Sequence, residues 1–381
     1  MNDGGILFTA FEPSGDALAA KLAAELKRRE PGRAVYALGG PVLRAAGAEL
    51  LEETTAHAAM GLSVLGHMQA HKQRLRRMRA WLRDHAIAAV IPVDSPAANW
   101  SVCEVVRREQ PRAKVVHLVC PQVWAWATWR VKKLRRLTDH VLCILPFEPA
   151  WLAEHGVPAT FVGHPLYGEG VRGQASGVRG KGLMTLALLP GSRAGEIRKN
   201  WGTMLAVYGQ LQRDIPGLRG RVAAYSDALA RMLREAVPQP DTLQLTIEVG
   251  ATDDILLHSD AALVVSGTAT LHTAARDCPM VVLYNANWWA WQLLGRWLIK
   301  TRTFSLPNVL AESLGLPGRV PEFVPHFGAV EPVAAATQRV MRDGRERQLQ
   351  ADLFASLSDA FACRNFAVTA ADVLEGVVSN S

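Results

Sequence analysis

The chain has 381 residues, 49% of them apolar and 20% charged, a composition that excludes long disordered segments and, at this length, predicts two domains. Its net charge of +7 favours anionic partners (nucleic acid, an anionic membrane surface or phosphorylated substrates) without choosing among them. Cys103, Cys120, Cys143, Cys278 and Cys363 are scattered and form no CxxC pair, which argues against a disulfide framework or a zinc ribbon and fits a reducing cytoplasm.

The N-terminus MNDGGILFTAFEPSGD has no basic leader followed by an apolar run and a cleavage site, so no signal peptide is expected. GILFTAF reads as a first strand, EPSGD as a turn and ALAAKLAAELKRRE as a helix. AVYALGG is a second strand and PVLRAAGAEL a short helix; AAVIPVD, KVVHLVC, HVLCILP and ATFVGHP are four further strands. The alternation implies a parallel, doubly wound sheet. The glycine-rich stretch YGEGVRGQASGVRGKG (167–182) breaks the pattern and is the linker candidate. Alternation then resumes with LMTLALLP, RGRVAAYS, LQLTIEVG, AALVVSG and PMVVLYN as strands. The expected fold is therefore α/β with two Rossmann-like doubly wound domains, 1–168 and 169–345. A helical tail, 346–381, either closes the second or crosses back to the first. Ligands in such sheets sit beyond the carboxyl ends of the strands.

Three turns at strand ends offer polar groups. LALLPGSRAGEIRK carries Gly191, Ser192, Arg193 and Glu196 into a helix; small residues let backbone N–H groups face a phosphate, and the arginine can pair with it. ALVVSGTATLHTAA repeats the design with Ser266, Gly267 and Thr268, although Thr268 could simply cap its helix. Two such loops suggest a diphosphate, and neither matches a Walker A or GxGxxG pattern. In the first half, AFEPSGD presents Glu12, Ser14 and Asp16 to polar substrate groups, Ser14 and Asp16 having helix capping as the commoner alternative. Asp94 ends an apolar strand, where a carboxylate can take a proton from a substrate hydroxyl or merely serve a turn.

His67 and His71 are four apart, but no third ligand accompanies them and no metal is expected. HKQRLRRMRAWLRDH (71–85) sets Leu75, Met78, Trp81 and Leu82 against Arg74, Arg77, Arg79 and Arg83, and RVKKLRRL (130–137) is a second basic cluster; with the tryptophan-rich segment 285–300 they are expected to make a basic, partly apolar surface. No nucleic-acid-binding module is recognisable. NANWWAWQLLGRWLIK (285–300) places Trp288, Trp289, Trp291 and Trp297 on a wide apolar face beside a stripe of Gln292, Arg296 and Lys300. It suits an interface-lying helix or an ordinary buried one, and no stretch is long enough to span a bilayer.

In order along the chain, EPSGD, AAMGLSVLG, PQVWAW, LPFE, VGHPL, LLPGSR, SGTATL, CPMVVLY and SLPN stand at spacings that resemble the lipid-A-disaccharide synthase family, inverting glycosyltransferases of the GT-B fold. The resemblance implies transfer of 2,3-diacylglucosamine from its UDP derivative to 2,3-diacylglucosamine 1-phosphate. The products are a β-1,6-linked disaccharide 1-phosphate and UDP, and no metal or other cofactor is required. It implies a cytoplasmic enzyme, peripheral on the anionic inner membrane, with the tryptophan segment as a membrane contact, no nucleic-acid partner, and room for an oligomer. It further implies Asp94 as the base, and Glu12, Ser14, Asp16, Met60, Asn99 and Trp124 on the substrate side. The UDP side comprises Gly191, Ser192, Arg193, Glu196, Ser266, Gly267, Thr268, His272 and Asn308. Departures from the family pattern are His272 in place of a glutamate that commonly holds the donor ribose, Ala97 for a second aspartate, Phe11 for a glycine and Ala127 for a basic residue. They leave open another nucleotide sugar, with transferase or epimerase chemistry, or a catalytically dead lipid-binding paralogue.

Overall fold

The computed structural model describes residues 4–55, 64–125, 127–167, 183–237, 243–286, 303–362 and 364–379, with backbone alone for 64–68. The chain folds into two units, 1–168 together with 362–381, and 169–361.

In the first unit the order is β1 (Gly5–Ala10), α1 (Pro13–Arg29), β2 (Val35–Gly39), α2 (Pro41–Ala45), β3 (Glu49–Glu53), α3 (Val64–Asp84), β4 (Ile87–Val93), α4 (Pro96–Glu109), β5 (Lys114–Leu118), α5 (Val131–Leu137), β6 (His140–Cys143), α6 (Glu148–Glu154) and β7 (Ala159–Phe161). The strands form one parallel sheet in the order β3-β2-β1-β4-β5-β6-β7. Every residue of β1 and of β4 is buried, because helices cover both faces of a parallel sheet and its central strands become continuous apolar runs. Ile6, Phe8 and Ile91 join α1 on one face, while Leu7, Val90 and Val115 join α3 and α4 on the other.

The second unit contains β8 (Thr185–Leu189), α7 (Ala194–Asp214), β9 (Arg219–Ala224), α8 (Asp227–Glu235), β10 (Leu245–Val249), α9 (Thr252–Leu257), β11 (Ala261–Val265), α10 (Thr268–Ala275), β12 (Met280–Asn285), α11 (Leu306–Ser313), β13 (Glu322–His326), α12 (Glu331–Arg342) and α13 (Gly344–Ala362). Its parallel sheet runs β10-β9-β8-β11-β12-β13. The last helix, α14 (Phe366–Ser379), belongs to the first unit. Phe366, Ala370 and Leu374 enter the core beneath α1, and Arg29 of α1 bonds Asp372 at 2.7 Å and Glu375 at 3.1 Å.

Two sequence expectations change. PVLRAAGAEL is not one helix: α2 stops at Ala45, Gly47 turns with φ 90°, and Glu49–Glu53 pairs with β2 as an edge strand. Sheet hydrogen bonding overrides the weak strand propensity of its glutamates. The apolar stripe of α3 does not face outward either. Met78 and Leu82 are buried in the sheet core, and Trp81 stands edge-on to Tyr36 at 4.7 Å. Its arginines are paired, Arg74 and Arg77 with Glu52, Arg79 and Arg83 with Glu109. Residues 287–300 of the tryptophan segment, the 167–182 linker candidate apart from its first residue, Met60 and the side chain of His67 lie outside the described residues.

Candidate functional site

Each sheet has a switch point, where the strand order reverses and the loops on either side diverge to leave a crevice. In the first unit it lies between β1 and β4. The chain leaves β1 through Glu12 and leaves β4 through Asp94 and Ser95. Both latter residues are left-handed, with φ 43° and 32°, a conformation that L-residues adopt only when their surroundings impose it. Asn99 imposes it: fully buried in α4, it donates from Nδ2 to the carbonyls of Val93 at 2.9 Å and Asp94 at 3.0 Å, while Oδ1 accepts from Thr9 at 2.7 Å. Ser95 Oγ donates to Glu12 Oε1 at 3.2 Å and ties the two loops together. Asp94 is half-buried there and Ser14, on the first turn of α1, is exposed. Phe11 turns toward α3, edge-on to His71 and under Arg74. His71 itself bonds Ser101 Oγ at 2.6 Å.

Asp16 departs from its expected place among substrate-facing groups. Its carboxylate is buried and accepts from the backbone N–H groups of Gly40 at 2.7 Å, Val42 at 3.0 Å and Leu43 at 3.4 Å. It caps α2, a helix distant in sequence, where amide dipoles favour a negative charge.

Trp124 is also turned inward. Its indole N–H donates to Glu148 Oε1 at 3.1 Å, and Leu145 N donates to the other carboxyl oxygen at 3.2 Å. Burial pushes Glu148 up to about 8, against the pull of those two donors; the charge of Asp94 adds to the rise. Burial thus favours the protonated carboxyl. Ligand atoms of Cys120, Cys143 and Glu148 lie within 4.8 Å of one another, all buried. The Cys120 thiol is raised by its hydrogen bond with Cys143 and by burial, and Cys143 by burial. The cluster is a buried knot beneath the PQVWAW loop, in which Cys120 and Cys143 are hydrogen-bonded to each other.

In the second unit the switch lies between β8 and β11. Gly191 has φ 105°, and a Cβ there would meet Glu196 Oε2 at 2.6 Å, so glycine is required. Ser192 N donates to Glu196 Oε2 at 3.2 Å, and Arg193 Nη1 to Glu196 Oε1 at 3.2 Å. Glu196 thus supports the loop and its arginine; a carboxylate only accepts and cannot itself bind a phosphate. Across the switch, Gly267 is the residue that starts α10, with φ 151° and open space where a Cβ would be. Gly267 has no side chain with which to cap that helix, and Thr268 enters its first turn, where Thr270 N donates to Gly267 O at 3.1 Å. Ser266 Oγ donates to Phe304 O at 3.2 Å.

His272 stands one turn into α10, and its Nε2 lies 2.7 Å from Asp253 Oδ1 at the start of α9. Burial works against Asp253 ionising, but hydrogen bonds from Arg276 and His272 hold its carboxyl below the usual range. A carboxylate accepts only, so Nε2 carries a proton, and in the neutral ring Nδ1 is left as an acceptor. Asn308 departs from expectation. It is buried, with Nδ2 donating to Val320 O and Glu322 Oε2 at 2.9 Å each and Oδ1 accepting from Val320 N at 2.8 Å. Its amide holds Glu322, which in turn accepts from the N–H groups of Phe304 and Ser305. A cavity of about 770 Å³ lies elsewhere, at the amino ends of β8, β9 and β10, among Thr185, Arg219 and Leu245.

Residues 6–371 match the lipid-A-disaccharide synthetase family. The chain belongs to that family. Among curated relatives, the lipid-A-disaccharide synthase of Burkholderia mallei is 35% identical over 98% of this chain and 97% of its own. That of Paraburkholderia phytofirmans is 36% identical over 98% and 96%. Solved structures share the fold at low identity. A glycotransferase of kitacinnamycin aligns with TM-score 0.63 at 16% identity over 98% of this chain and 99% of its own. An S. aureus protein solved with UDP aligns with TM-score 0.64 at 11% over 97% and 95%. An Anabaena protein solved with UDP-glucose aligns with TM-score 0.58 at 10% over 99% and 100%. The fold is GT-B, with two Rossmann-like units, and the chain is a glycosyltransferase of lipid A biosynthesis. Neither the epimerase-like nor the lipid-binding alternative is favoured.

Sequence reading missed two residues that the structure pairs with candidate site residues. Asp253 lies in ATDDIL, an ordinary helix start, and only the packing of α9 beside α10 gives it a partner. Glu148 was legible only within LPFE, and its burial depends on the loop that carries Trp124.

Proposed function

We propose that this chain joins two acylated glucosamines, transferring 2,3-diacylglucosamine from UDP to O6 of 2,3-diacylglucosamine 1-phosphate and releasing UDP. The family match over nearly the whole chain carries this reading. The acceptor O6–H gives its proton to the Asp94 carboxylate as O6 attacks the anomeric carbon. The bond from that carbon to the diphosphate breaks with inversion, and UDP leaves with the bonding pair. Asn99 and the two left-handed residues keep Asp94 in its turn, while Glu12 and Ser14 offer polar groups beside it. Asn99 acts as a positioning residue.

On the donor side, the N–H groups after Gly191 and Gly267, the two helix N-termini and Arg193 stabilise charge building on the diphosphate. Glu196 yields Ser192 N–H and Arg193 to the phosphate when the donor enters. His272 Nδ1 accepts from a ribose hydroxyl, in place of the glutamate usual in the family, with Asp253 setting its tautomer. Asp253→Ala is expected to weaken UDP binding about three- to tenfold, roughly 0.7–1.4 kcal/mol, read by calorimetry; unchanged affinity would remove His272 from the donor site.

The acceptor and donor are acylated, so the enzyme works at an anionic membrane surface. Among the described residues no helix is long and apolar enough to cross a membrane. The net positive charge and the tryptophan-rich sequence at 285–300 support surface attachment. Binding to vesicles containing phosphatidylglycerol should fall several-fold between low and physiological salt; vesicle binding indifferent to both salt and lipid charge would count against it.

A further inference from the structure

The loops at the carboxyl ends of β4, β5 and β6 are laced together: Asp94 N donates to Leu118 O and Val119 N to Leu142 O, each at 3.0 Å. The residues that follow Val119 and Leu142 are Cys120 and Cys143, and Glu148 stands in the first turn of α6. Their two thiols and one carboxyl converge. A ligand atom of each lies within 4.8 Å of the others, and all three side chains are buried. Cys120 is hydrogen-bonded to Cys143, and its Sγ also donates to Pro121 O at 3.3 Å. The groups that act on this trio electrostatically include acids, Glu148 on both thiols and Asp94 on Glu148. Acids gathered out of water beside a carboxylate resist ionising. A cation among them reverses that balance, because it pairs with each group as the proton leaves.

We infer that Cys120, Cys143 and Glu148 form a binding site for a thiophilic divalent metal ion, zinc being the ion of that class that suits them. The site is independent of the reaction proposed above, which takes no step through a metal. Two thiolates and a carboxylate make a borderline-soft donor set, matched to zinc; magnesium and calcium take oxygen ligands. Tetrahedral zinc holds sulfur at about 2.3 Å and carboxylate oxygen at about 2.0–2.2 Å, which sets its ligand atoms roughly 3.5–3.8 Å apart. Ligand atoms already within 4.8 Å of one another reach that spacing by small side-chain rotations. Pro121 O, beside Cys120 Sγ, or a water completes the four. On binding, the ion replaces two thiol protons and the carboxyl proton, which pass to solvent, and leaves a single net negative charge. The indole N–H of Trp124 and the N–H of Leu145, both already on the Glu148 carboxyl, offset that charge. An ion here ties the ends of β5 and β6 to α6 and braces the loop that carries Trp124.

The test is made on the full chain produced in zinc-supplemented medium and dialysed against metal-free buffer. Mass spectrometry should find about one zinc per chain in the wild type, and zinc-edge X-ray absorption should show two sulfur neighbours at about 2.3 Å. Cys120→Ser and Cys143→Ser should each lose at least nine-tenths of that zinc, since a serine hydroxyl is a poor ligand. Glu148→Gln should keep both sulfurs but release zinc to a chelator at least tenfold more readily. Wild type produced with cobalt should show thiolate-to-cobalt absorption in the near ultraviolet. A wild type that retains no zinc and shows no such band overturns the assignment. So does zinc retained in full by both serine variants, or a zinc shell without sulfur. If the serine variants do not fold, the wild-type zinc content and sulfur shell decide alone.

Discussion

Asp94→Asn is expected to lower UDP release about a thousandfold, within the range that a positioned general base contributes. Asparagine suits the test because it tolerates the left-handed conformation at position 94. It preserves the backbone groups that Asn99 and Leu118 hold, the N–H donating to Leu118 O at 3.0 Å and the carbonyl accepting from Asn99. Its amide, however, cannot take a proton from the acceptor hydroxyl. The fold and UDP affinity should therefore survive while turnover is lost. Steady-state UDP release with both acylated substrates, together with calorimetric UDP affinity, makes the measurement. A loss of tenfold or less, with the protein folded, would transfer the role of base to another group.

The largest stability effect should come from Asp16→Ala. This carboxylate accepts three backbone N–H groups where α2 begins, and it is buried. Removing it leaves those donors without a partner and takes a favourable charge from a helix N-terminus. Hydrogen bonds to a charged group contribute about 1.5–3 kcal/mol, so the loss of the set should destabilise the first unit by about 3 kcal/mol. For a unit of this size that lowers Tm by about 6–12 °C. Calorimetry of the wild type and Asp16→Ala checks it; a shift within 2 °C would mean that water or another group serves α2 equally well. Asp16→Asn, which keeps one acceptor oxygen, should fall between the two.

Asp16 and Asp94 show where sequence reading reaches its limit. Both stand just beyond an apolar strand, and both read as candidates for facing substrate. Asp16 bonds a backbone N–H 24 residues away, and no periodicity or turn signal in EPSGD encodes that partner. Asn308 and Glu196 follow the same pattern. Each lies in a motif that the family resemblance places at the donor, yet one amide is consumed by Val320 and Glu322 and the other carboxylate by its own loop. The basic runs divide similarly. Those of α3 meet Glu52 and Glu109 and become a structural face, whereas in α5 Lys133 and Arg136 share one carboxylate, Glu104.

The linear order of residues was enough for the α/β class, the parallel sheets and the motif set that carries the family, with the edge strands 49–53 and 322–326 escaping notice. Such features follow from periodicities of two and 3.6 residues and from short turns, which are local properties of the chain. Which polar side chains remain open to a ligand was settled only by folding. Burial and pairing depend on groups brought together from distant parts of the sequence, as Glu148 with Trp124 and His272 with Asp253 illustrate.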